Sequence, residues 1–186
     1  MDLRRQIRAF VPGNAQEAAD KPLLLERLAE RDVFTRENKV GHFTASGWVV
    51  SPDRKKVLMV YHNIYDSWSW MGGHADGETD LRSVAEREIR EESGIRELKL
   101  LDEGIFSLEV LTVDGHEKKG QYVSSHLHYN VTYLFEADTA QVLTLKPDEN
   151  SGVRWIGVEE LPMMVSEPWF LERIYSKLCE KVQNLR

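Results

Sequence analysis

The chain has 186 residues, and 41% hydrophobic and 30% charged residues with 12 glycines and 6 prolines suit one domain with a substantial core, excluding collagen-like, low-complexity and wholly disordered readings. A balance of 24 Lys and Arg against 31 Asp and Glu leaves −7, which disfavours a grip on duplex nucleic acid, whose phosphates reward a basic face. No apolar run approaches the roughly 20 residues of a membrane helix, and the opening MDLRRQIRAF lacks the apolar stretch of a secretion signal. With the single cysteine, Cys179, unable to form an internal disulfide, these features point to a cytoplasmic protein that does not engage membranes.

Residues 1–40 read as a helical extension. Asn14 followed by Glu17 has an N-cap arrangement, and Leu23, Leu24, Leu25 and Leu28 give an apolar stripe before the polar stretch Arg36 to Lys39. From Gly41 the period changes. His42 to Val50 and Lys56 to His62 are β-rich runs separated by the turn signal Ser51-Pro52-Asp53, so a hairpin is expected. Residues 63–79 are too irregular for either period and read as a functional loop, and a 3.6-residue pattern begins near Asp80.

After Gly94, Leu98 to Leu111 and Ser124 to Ala137 are predicted strands, separated by the charged segment Asp114 to Gly120. In the second run His126, His128, Asn130 and Thr132 alternate with Leu127, Tyr129, Val131 and Tyr133, giving one polar and one apolar face. A short strand is expected over Val153 to Gly157, and a closing helix from Ser166 carries Leu171, Ile174, Tyr175, Leu178 and Val182 at helical spacing. Strands before and after one central helix, without βαβ alternation, predict an α+β fold in which a mixed β-sheet is flanked by helices.

The chemistry concentrates in GGHADGETDLRSVAEREIREESGI, Gly72 to Ile95. At about 100° per residue, Leu81, Val84 and Ala85 share one side of a helix, whereas Arg82, Ser83, Glu86, Arg90 and Ser93 form the expected solvent face. One turn further, the apolar stripe runs into Glu88, Glu91 and Glu92. Three carboxylates crowded on a partly buried face repel one another and resist ionising unless a multivalent cation neutralises them. Hard oxygen donors, with no His or Cys at ligand spacing beside them, favour Mg²⁺ or Mn²⁺, ions that keep waters and also bind phosphates. The bland alternative is a solvated, salt-bridged acidic helix, the usual state of such sequences.

Gly73, followed by Arg87-Glu88-Ile89-Arg90-Glu91-Glu92-Ser93-Gly94-Ile95, resembles the Nudix box, GX5EX7REUXEEXGU with U a bulky apolar residue. Eight of its nine fixed positions are met in register; at the remaining one Thr79 replaces Glu, with an acid one place earlier as Glu78, and Met71 stands where many relatives have Pro. The resemblance covers about residues 41–165 and implies a Nudix domain over 41–186, an α/β/α sandwich that hydrolyses a diphosphate linkage in a nucleoside diphosphate derivative. It implies that Glu88, Glu91 and Glu92 hold the divalent ion, that Arg87 orients these acids, and that a Gly72 or Gly73 carbonyl completes the shell. Relatives often add a loop acid six residues ahead of a Trp, the place Glu149 takes before Trp155. Glu88, Glu91 and Glu149 are the alternatives for the general base.

Trp70 and its neighbour Trp68 have two readings, stacking on a planar substrate group or plain core burial, and the second is commoner. His74 could meet a substrate phosphate, although a loop His more often faces solvent; His126 and His128 fit a plain cross-strand role. A Nudix-fold ligand-binding module without turnover is the competing reading, but such modules lose box acids and this chain keeps all three. An isoprenoid diphosphate isomerase needs a cysteine near its pocket, and Cys179 lies in the closing helix. The sequence leaves a homodimer open, with the N-terminal extension as dimer contact, lid or, more simply, a cap on the chain's own apolar surface.

Overall fold

The computed structural model describes residues 2–64, 66–118, 120–146 and 150–185. The chain forms two compact units, Met1–Ser46 with Gly72–Ala85 and Gly104–Tyr133, and Gly47–Met71 with Glu86–Glu103 and Leu134–Arg186. Strands β1 (Gly41–Val50) and β9 (His126–Glu136) and helix α3 (Leu81–Ser93) each continue from one into the other.

In the first unit, α1 (Leu3–Ala9) and α2 (Ala15–Arg27) precede the strands. Asn14 caps α2 as its sequence position predicts, its side chain accepting the Glu17 N–H at 2.9 Å. Helix α2 packs on strand β6 (Ser107–Val113), where Asp20 accepts the Val110 N–H at 2.9 Å and Gln16 donates to the Leu108 carbonyl at 3.0 Å. Polar side chains thus satisfy strand backbone groups that would otherwise invite foreign pairing. β6 pairs antiparallel with β9, Ser107 opposite Thr132 and Val113 opposite His126, and β4 (Met71–His74) pairs with β1. Between β6 and β9 the charged segment is not a plain loop: β7 (His116–Lys118) and β8 (Gln121–Val123) form their own antiparallel hairpin.

The polar face of β9 points into a buried hydrogen-bond network. The Asn130 side-chain carbonyl accepts from Thr44 and Ser46 at 2.9 and 3.0 Å, and its amide donates to Glu109 at 2.9 Å and to Thr132 at 3.2 Å. Both ends of the amide are therefore used, which is the condition for burying it without penalty. Ser107 joins the same network to Glu17 of α2.

In the second unit the strand order is β10 (Asn150–Gly157), β2 (Lys56–His62), β1, β9 and β5 (Lys99–Leu100). β2 pairs antiparallel with β1, Val50 opposite Val57, and with β10, Trp155 opposite Leu58. β3 (Ser67–Ser69) pairs with β2, so part of the expected loop 63–79 is strand. The tertiary ladder supplies the order that no local period announces. The single strand expected over Leu98 to Leu111 is split, because Asp102-Glu103-Gly104 break it into β5 and β6. The closing helix begins at Pro168, passes through a π-helical turn at Leu171–Tyr175 and ends as Ser176–Gln183, with Ile174, Tyr175, Leu178 and Val182 buried as predicted. Among the described residues no helix is long and apolar enough to cross a membrane.

Two glycines set where α3 can lie. A Cβ on Gly47 of β1 would stand 2.2 Å from Ile89 Cδ1 and 2.8 Å from its Cγ1, so the missing side chain is what admits Ile89. Gly94 ends the helix with φ +75°, its N–H returning to Arg90 O at 2.9 Å, and a Cβ there would press on Thr144. Gly47→Ala is expected to destabilise the protein by about 1–3 kcal/mol through overpacking, and less in an Ile89→Val background that removes the struck methyl. Urea denaturation of the four proteins checks this, and strict additivity would refute the contact.

Candidate active site

Asp80 opens α3: its carboxylate accepts from the Ser83 N–H and the Ser83 hydroxyl, at 3.4 and 2.9 Å. Just before it, the Glu78 carboxylate accepts the N–H groups of Thr79 and Asp80 at 2.9 and 3.1 Å. Glu78, one place ahead of the box position held by Thr79, is thus occupied with holding the loop that enters the helix.

Further along, Leu81, Val84, Ala85 and Ile89 are buried, as the apolar stripe requires. Ser93, expected on the solvent face, is buried too, its hydroxyl returning to the Ile89 carbonyl at 2.5 Å. A serine that bonds back along its own helix needs no water, which is why periodicity misplaced it.

The three acids of the stripe have three different environments. Glu92 is 5% exposed and accepts the side-chain N–H of Asn150 at 2.8 Å. The Glu88 side chain is 15% exposed and that of Glu91 48%, so Glu91 lies toward water. Burial pushes the Glu88 carboxyl above the ordinary carboxylate range, the Arg87 guanidinium pulls it down, and the Glu91 charge pushes it up again. Arg87 donates to Glu88 at 3.3 Å and stands 4.0 Å from Glu91, while Lys146 reaches Glu91 at 3.4 Å.

Asn150 escaped sequence reasoning. Its only signal is its place five residues before Trp155, next to Glu149, which lies outside the described residues. A register shift in the β10–β2 ladder between Asn150 and Gly152 re-aims it, as bulges beside functional sites do. Its Oδ1 is buried and has no hydrogen-bond partner among the described residues. An uncovered amide oxygen beside a buried carboxylate, with a desolvated carboxylate one helical turn away, is a set of hard oxygen donors that fits a small divalent cation.

The remaining sequence candidates lie outside α3. Gly72 and Gly73 are half-buried on β4. Trp70 is buried, its ring edge-on to Tyr175 and Phe170 at 5.7 and 6.4 Å. Trp68 packs edge-on against Tyr61 and carries the Arg154 guanidinium 5.7 Å from its ring centre. Cys179 is half-buried in the last helix, its thiol pushed up to about 12 by burial, which makes it a poor acid or nucleophile.

His74 is not a lone loop histidine. It lies in a cluster with His42, His126 and His128, in which one ligand nitrogen from each residue comes within 4.8 Å of all the others. Burial and the neighbouring rings hold His128 down to about 2 and push His42 down as well, so both imidazoles are neutral at physiological pH. The His126–His128 spacing of two residues was visible in the sequence; that β1 and β4 would deliver His42 and His74 to the same place was not.

A family model for the NUDIX domain matches residues 41–178. Among solved structures, the chain is similar to an Ap4A hydrolase from C. elegans in a binary complex, with 18% identity, a TM-score of 0.54 and coverage of 76% of this chain and 94% of that one. The nudix hydrolase RenU from M. smegmatis gives 15%, 0.57, 78% and 89%, and the dihydroneopterin triphosphate pyrophosphohydrolase of E. coli gives 14%, 0.53, 73% and 92%. No curated protein matches. The fold is the mixed β-sheet with flanking helices expected of this family. With the family's domain matched over most of its length, the chain belongs to the Nudix hydrolase family.

Proposed function

We propose that the protein is a divalent-metal-dependent pyrophosphohydrolase that cleaves the diphosphate linkage of a small nucleoside diphosphate derivative. The observation that carries this reading is Glu92, a carboxylate sunk into the apolar stripe of α3 and met by the Asn150 amide. A salt-bridged solvent helix has no reason to bury an acid, because a buried charge is retained only where something compensates it.

Glu88, Glu91 and Glu92 would hold Mg²⁺ or Mn²⁺, with the Gly73 carbonyl as a further donor. Once bound, such an ion neutralises phosphate charge and acidifies a water toward attack on phosphorus. The chain's own residues do the rest. Asn150 fixes the Glu92 carboxylate by donating to one of its oxygens. Arg87 lies along the Glu88 and Glu91 carboxylates, and its charge favours the ionised form of Glu88 against the effect of burial. Lys146, close to Glu91, places a positive charge suited to a substrate phosphate. Glu88 is the favoured proton acceptor, because burial raises its basicity toward the range a general base needs; Glu91 and Glu149 remain the alternatives. Trp70 is proposed for the substrate side, through base contact.

Glu92→Gln keeps the shape and an oxygen acceptor for Asn150 but removes the charge. It is expected to lose more than about 10-fold in rate, since charge stabilisation by a bound metal is worth several kcal/mol. A panel of nucleoside diphosphate derivatives, dinucleoside polyphosphates and oxidised nucleoside triphosphates with Mg²⁺ or Mn²⁺ tests it, and unchanged turnover sinks the metal assignment.

Glu88 supplies a second expectation, with a definite sign. Its folded-state pKa lies above the unfolded value, so the native state holds its proton more tightly and metal-free stability falls as pH rises through that window. Saturating Mg²⁺, which binds the ionised form, should offset that fall. Melting temperatures across the carboxylate range, with and without Mg²⁺, should show this for the native sequence and lose it in Glu88→Gln. A pH profile identical in the two proteins would remove Glu88 from the site.

A further inference from the structure

The four histidines lie outside the acids of the box and are not explained by hydrolysis. His42 comes from β1, His74 from β4, and His126 and His128 from β9. Their rings are mutually in contact: His42 stands 5.0 Å from His74, 5.0 Å from His126 and 5.2 Å from His128 between ring centres, and His74 stands 4.9 Å from His128.

The hydrogen bonds around the cluster decide which nitrogens face inward. His42 Nδ1 is 3.2 Å from the Asn38 carbonyl and His126 Nδ1 is 2.9 Å from the Ser124 carbonyl. A carbonyl only accepts, so each Nδ1 carries a hydrogen, which makes Nε2 the nitrogen through which each ring would ligate a metal. His42 is 5% exposed, and its Nε2 is buried without a hydrogen-bond partner among the described residues. His126 Nε2 and His128 Nε2 are 3.2 Å apart. With metal–nitrogen bonds of about 2.0–2.1 Å, two ligands of a tetrahedral site lie about 3.3 Å apart, so one edge of such a site already has its dimension.

We propose that His42, His74, His126 and His128 form a second metal centre, a closed all-imidazole site for Zn²⁺ that ties β1, β4 and β9 together. Imidazole nitrogens select borderline transition cations over Mg²⁺. Four protein ligands leave no position for an activated water, so the role is structural. The backbone carbonyls of Asn38 and Ser124 are the outer-shell acceptors that usually orient metal-binding histidines. What the ion fixes is β4, the Gly72-Gly73-His74 strand from which the chain enters the box loop.

The test uses the 186-residue chain without a polyhistidine tag, stripped with a chelator and kept in excess Mg²⁺ so that the acids of α3 are occupied. Titration with Co²⁺ should give a single equivalent with the intense visible bands of a tetrahedral ion, bleached by Zn²⁺. Loss of an outer-shell partner alone costs about 10–100-fold in metal affinity, so His126→Gln, which removes a ligand, should weaken Zn²⁺ by at least about 100-fold. Glu92→Gln should leave Zn²⁺ affinity unchanged. X-ray absorption at the zinc edge of the unaltered protein, which does not depend on a variant folding, should show a first shell of nitrogen. An octahedral cobalt spectrum, an oxygen-rich zinc shell, Zn²⁺ binding abolished by Glu92→Gln, or no binding because a proton alone bridges the rings would each overturn the proposal.

Discussion

A single buried contact, the Glu92 carboxylate against the Asn150 amide, fixes most of what matters in this molecule. An acid on the core side of a helix is expensive in isolation, and losing a hydrogen bond to it costs about 1–3 kcal/mol or more in unmet desolvation. The helix therefore cannot slide or rotate on the sheet without losing that bond. Gly47 admits Ile89 on the same side of α3, and Gly94 turns the chain away as soon as the acid is placed. These constraints hold the carboxylates of one helix in a graded series, from buried Glu92 through Glu88 to the half-exposed Glu91.

That gradation has chemical content. Identical side chains differ only by surroundings: Glu92 is fixed by an amide, Glu88 is made more basic by burial, and Glu91 lies against two cations near water. An acid that is fixed suits the part of a rigid ligand in the proposed reaction. One that is desolvated holds a proton more readily than a solvated carboxylate, with Arg87 pulling the other way. One at the rim can adjust to an arriving ion.

How much of this was legible in the sequence depended on how local its cause was. β2, the start of α3 and the Asn14 cap follow from period and capping chemistry carried by adjacent residues, and they lie where those patterns put them. β3, β4 and the β7–β8 hairpin did not announce themselves, because short strands are created by the strands they meet. The acid stripe was visible because helical geometry projects from spacing alone. The burial of Ser93 was not, since a hydroxyl that closes on its own backbone behaves like an apolar residue while reading as a polar one. Asn150 depends on a local register shift in a ladder, which no pattern of side chains encodes.

The histidines show the same limit from the other direction. Along the sequence His74 follows His42 by 32 positions, and the spacing rule used to set imidazole ligands aside applies only within one element. A sheet suspends that rule, because strands remote in sequence lie about 4.8 Å apart and bring side chains of the same face into contact. The chemistries of the two donor sets keep them apart: carboxylate and carbonyl oxygens suit Mg²⁺, which dehydrates reluctantly, whereas four imidazoles offer it little and offer a zinc-like ion a complete shell. A chain can therefore carry a labile cation for turnover and a tightly held one for structure without either displacing the other, provided that the donor atoms are segregated by type, as they are between α3 and the strands β1, β4 and β9.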